Sequence, residues 1–82
     1  MLLVLQLQEI VMKVVNYLRK VREQQMMSKA ELARRAGISV LTVDRIERGE
    51  RCRHATKRRL LESLGIDIID RQKVFPDPPT DG

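Results

Sequence analysis

The chain has 82 residues, 43% of them apolar and 33% charged, which is the composition of one small soluble globular domain. A formal net charge of +5 and a sequence pI close to 10.0 point to an anionic partner. With only Tyr17 and Phe75 as aromatics, the chain lacks the stacking platforms of RNA modules and single-strand binders.

Residues 1–13 form an apolar extension, broken by Gln6, Gln8, Glu9 and Lys13. It is too short and too polar to span a bilayer, and it lacks the cationic start and small-residue cleavage site of a signal peptide. Two readings stay open. Leu3, Leu7, Ile10, Val14, Tyr17 and Val21 step alternately by four and three, a heptad seam on a helix that would pair with a second chain. Alternatively Leu3, Leu5 and Leu7 alternate with Val4, Gln6 and Gln8, as in an edge strand pairing with residues 66–74 or with its own copy. Either way, a row of leucines on so small a protein predicts self-association.

The globular domain is expected over residues 14–66. Its first helix runs from about Val14 to Gln25, with Val14, Leu18 and Val21 inward and Arg19, Lys20 and Glu23 in water. Met26 and Met27 follow as core filler around the link to the second helix. That helix begins at Ser28, and Glu31 three residues on completes a capping box. Gly37 ends it at a corner that requires positive φ. Ser39 then caps a third helix, residues 39–48, which stops at Gly49.

The small Ala33 suits a steep crossing of the second and third helices, while Leu32, Ala36, Ile38, Val43 and Ile46 are placed as inward anchors. Lys29, Ser39, Val40, Leu41, Thr42 and Arg45 are left facing outward, a profile suited to the groove of a DNA duplex. Immediately after, the stretch Arg45–Arg59 carries seven basic residues against two acids, Glu47 and Glu50. Arg48, Arg51, Arg53, Lys57 and Arg58, with His54 as a further donor, are expected along the phosphate backbone, and Arg59 is set apart. A fourth helix over about Ala55–Leu64 buries Leu60, Leu61 and Leu64. Residues 67–82 are expected to be a tail, Pro- and Asp-rich and partly disordered.

Cys52 is the only cysteine, which excludes an internal disulfide and reads as an exposed thiol. With His54 it makes a C-x-H pair, two ligands where a structural zinc site needs four, so no metal or other cofactor is expected. The single histidine has no acid partner in sequence and there is no phosphate loop, so catalysis is not expected.

The segments NYLRKVREQQMMSKAELARRAGIS, VLTVDRIERG and KRRLLESLGI together resemble the phage-repressor (Cro/XRE-type) helix-turn-helix family over about residues 16–66. The resemblance implies an all-α, compact four- to five-helix domain that binds double-stranded operator DNA as a homodimer, its third helix in the major groove. It assigns base reading to Val40, Leu41 and Arg45, and backbone contacts to Lys29, Ser39 and Thr42. It also pairs Arg22 with Glu47 as a structural ion pair between the first and third helices. Lys29 replaces the family's frequent glutamine, and the recognition face carries no Asn or Gln to read adenine. A repressor in a bacterial or phage-encoded, cytoplasmic and nucleoid-associated setting is the expectation, dimeric through residues 1–13. Two alternatives stand beside it: an antitoxin that represses its own operon and holds a toxin, and a helical module that docks a protein and never meets DNA.

Overall fold

The first helix starts later than its apolar spacing suggests. A computed structural model describes residues 15–76. In it α1 is Leu18–Gln24, α2 Lys29–Ala36, α3 Val40–Glu47 and α4 His54–Ser63, followed by a 3-10 segment, Ile68–Lys73. No strand occurs among the described residues. Residues 15–17 are not helical, which corrects the expected start near Val14 and breaks the continuous helix on which Tyr17 and Val21 would share a seam with the extension. The cause lies in where the backbone donors go. Leu18 N donates to Asn16 Oδ1 (3.0 Å) and Tyr17 N to the Val74 carbonyl (2.7 Å), so neither is left for an earlier helical turn. Asn16 Nδ2 also donates to the Ile46 carbonyl at 2.8 Å, tying this corner to α3. The extension itself, residues 1–13, lies outside the described residues, and so do its helix and strand readings.

Each of the four α-helices among the described residues ends on a left-handed residue. A residue at the cap (Gly37) or just after it (Met26) takes positive φ, and two backward bonds close the last turn: Met26 N to Glu23 O and Met27 N to Arg22 O in α1, Gly37 N to Arg34 O and Ile38 N to Ala33 O in α2. Gly49 and Gly65 repeat this after α3 and α4. Three of the four left-handed positions are glycine, but Met26 adopts φ 56° with a side chain. That geometry corrects the expectation that both methionines fill the core. Met27 is buried at 7% exposure, whereas Met26 stands 91% exposed. Met26→Gly removes a strained Cβ and touches no packed surface. It is expected to raise stability by about 0.5–1 kcal/mol after the extra chain entropy of glycine is subtracted. Urea denaturation checks this, and an unchanged or lower midpoint would rule it out.

The core gathers Leu18, Leu32, Val43, Leu60 and Val74, all fully buried, with Ala33 and Ala36 between α2 and its neighbours α3 and α4. Val74 and Phe75 were not expected there. The packed fold runs past Ile66: the 3-10 segment brings the chain back beneath the start of α1, and both side chains are buried. Residues 77–82, the proline- and aspartate-rich end, lie outside the described residues.

Candidate nucleic-acid interface

Local chemistry sets the two helix starts that frame the site. Glu31 N donates to Ser28 Oγ at 3.0 Å and Thr42 N to Ser39 Oγ at 3.1 Å, so each serine caps its helix as its position predicts. The capping box is one-sided, because the Glu31 carboxylate pairs with Arg35. Between the two starts, Gly37 takes φ 70° at the corner.

α3 is amphipathic. Val43 and Ile46 are buried, while Val40 and Leu41 remain 46% and 56% exposed. Arg45 is exposed beside them, with Glu50 Oε2 no nearer than 3.9 Å. The Ser39 and Thr42 hydroxyls lie 2.8 Å apart, so one hydrogen serves the pair and the other O–H is free to donate outward.

The far end of α3 is fixed by a buried ion pair. Arg22 Nε and Nη2 reach the two Glu47 oxygens at 2.7 and 3.2 Å, and Nη1 donates to the Met27 carbonyl at 2.8 Å. The bond from Glu47 holds the Arg22 guanidinium in its charged form, against the cost of burial.

Asp44 escaped the sequence reading and changes the electrostatics of the face. Its Oδ1 accepts from Lys29 Nζ at 2.7 Å and its Oδ2 meets Arg48 Nε at 3.0 Å. Two of the expected phosphate contacts are thus tied to one acid. The i,i+4 spacing to Arg48 was visible in sequence, but the pairing with Lys29 crosses the α2–α3 corner and was not. The Lys29 bond, helped by the Arg48 charge, holds the Asp44 carboxyl below its ordinary range. A depressed folded value means that this carboxylate contributes stability above about pH 4, and the contribution fades as pH falls through the lowered value. Asp44→Asn removes a negative charge from the face and releases both cations. Affinity for random duplex is expected to rise several-fold near 0.1 M salt, and the slope of log K against log salt to steepen by about one unit. Fluorescence anisotropy over a salt series measures both.

The remaining basic residues differ from these. Arg51, Arg53, His54 and Arg58 are exposed and Lys57 is half-buried; none has a carboxylate partner among the described residues. Arg59 lies apart, near Gly37 at the α2–α3 corner. His54, Lys57 and Arg58 open onto a cleft of about 200 Å³, closed by Leu61, Ile68, Phe75 and Arg71. Arg71 had no motif to mark it, since only the return of the chain after α4 brings it there.

Cys52 is half-buried rather than exposed, because it packs on the edge of the core. Burial pushes its thiol up, and the Lys57 charge offsets that only in part. Among the described residues, no group of three or more His, Cys, Asp or Glu side chains could hold a metal ion, and no helix is long and apolar enough to cross a membrane.

Two capped helices around a glycine corner, the second with an exposed outer face and a locked inner one, define a helix-turn-helix DNA-binding domain. Residues 18–52 match the model of the helix-turn-helix family. Over those residues the chain is similar to helix-turn-helix domains of the Cro/XRE type. No curated protein and no solved structure matches it.

Proposed function

We propose that the chain is a sequence-specific transcription repressor that binds duplex DNA as a homodimer, placing α3 in the major groove. Val40, Leu41 and Arg45 read base edges. Lys29, Ser39, Thr42, Arg48, Arg51, Arg53, His54, Lys57 and Arg58 hold the backbone, Lys29 and Arg48 through whatever donor capacity Asp44 leaves them. The observation that carries this reading is the exposure of two aliphatic side chains and one arginine on a helix whose opposite face is buried, beside cations that lack carboxylate partners among the described residues. An apolar exposed face suits thymine methyl groups, and an arginine suits guanine. Dimerisation is assigned to residues 1–13, with half-sites roughly 34 Å apart if the subunits follow the helical repeat.

Selection of bound duplexes from a random pool, read together with mass in solution, tests the proposal. Enrichment of a two-fold symmetric site by a dimer is the expected result. Absence of any salt-sensitive duplex binding would overturn it and favour protein docking.

A further inference from the structure

We infer that the cleft between the start of α4 and the 3-10 segment binds a small organic carboxylate with a ring or branched alkyl body. Cations reach it from two walls, Lys57 and Arg58 from α4 and Arg71 from the 3-10 segment. Among the described residues no carboxylate pairs with any of them, and the Arg71 guanidinium donates only through Nη1, to the Ile68 carbonyl at 3.2 Å, which leaves its other N–H groups to an anion.

The floor is apolar, made by the buried Leu61 and Phe75, and Lys57 Nζ stands 5.7 Å from the Phe75 ring centre. A phosphate diester would use the cations and leave this floor bare. A carboxylate on an apolar body uses both, since arginine forks bind carboxylates through paired hydrogen bonds while the body covers Leu61 and Phe75. Size limits the occupant as well. A cavity of roughly 150 Å³ holds benzene, so about 200 Å³ takes a ring and its carboxylate.

Lys57 and Arg58 are shared with the proposed backbone contacts, but binding to the protein alone is independent of the DNA reading. The test is therefore run without DNA. The full chain, ¹⁵N-labelled, is titrated at constant ionic strength with benzoate, with benzyl alcohol (body without charge) and with inorganic phosphate (charge without body). Saturable shifts at the Leu61, Arg71 and Phe75 amides are expected for benzoate, with a Kd at least about tenfold below that of either control. Arg71→Gln should raise the benzoate Kd about fivefold with helical content unchanged, and Lys57→Gln gives the same reading from the opposite wall. Benzoate no tighter than phosphate, shifts that never saturate, or a benzoate Kd that neither substitution changes would overturn the proposal.

Discussion

Glu47→Ala is expected to leave the domain largely unfolded at 25 °C. The Glu47 side chain is 4% exposed and accepts two bonds from Arg22, whose side chain is 8% exposed. Truncating it strands a guanidinium in the core with only the Met27 carbonyl as partner. Breaking a buried pair in this way costs about 3–5 kcal/mol. A core of this size rarely supplies more than about 3–5 kcal/mol in total, so the loss is comparable to the whole stability. Circular dichroism on heating and in urea measures it. The double change Arg22→Met with Glu47→Leu removes both charges and keeps volume, and it should recover a cooperative transition within about 2 kcal/mol of the parent. A Glu47→Ala protein that melts within about 1 kcal/mol of the parent would show that the pair does not hold α1 against α3.

The parts of this fold legible in sequence are those set within one helical turn. Ser28, Ser39 and Gly37 act through bonds to residues at most four positions away, so their identities alone place both ends of α2 and the start of α3. Arg22 with Glu47 was legible only through family likeness, because nothing local links residues 25 apart. Three features depended on chain closure and left no local signal. Val74 and Phe75 stand among charged and proline residues and become core only when the 3-10 segment turns back. Arg71 reaches the α4 cleft by the same return. Asp44 meets Lys29 only because the corner brings the starts of α2 and α3 together. Asn16 is a local signal of a helix start, since its side chain accepts from the backbone two residues ahead, but it lies inside an apolar heptad spacing that points to a longer helix.

Arg45→Ala and Arg53→Ala are expected to damage DNA binding in different ways. Arg45 projects from the exposed face of α3 with a side chain 59% exposed, held only by a long contact to Glu50, so its fork is free to turn toward a base pair. A bidentate arginine–guanine contact is worth about 1–3 kcal/mol of discrimination, or roughly 5- to 150-fold. Arg45→Ala should therefore lose that factor on the selected site and little on random duplex, leaving the salt slope nearly unchanged. Arg53 lies at the N-terminus of α4, exposed and without a carboxylate partner among the described residues, where a phosphate is the group it can meet. Arg53→Ala should weaken selected and random duplexes by the same factor and reduce the salt slope by about one unit. The pair of ratios is the informative quantity, because a general loss of folding would lower both affinities in both variants. If Arg45→Ala weakens the two duplexes equally, α3 does not read sequence through this arginine. The specificity would then rest on Val40 and Leu41 against thymine methyls, or on DNA shape.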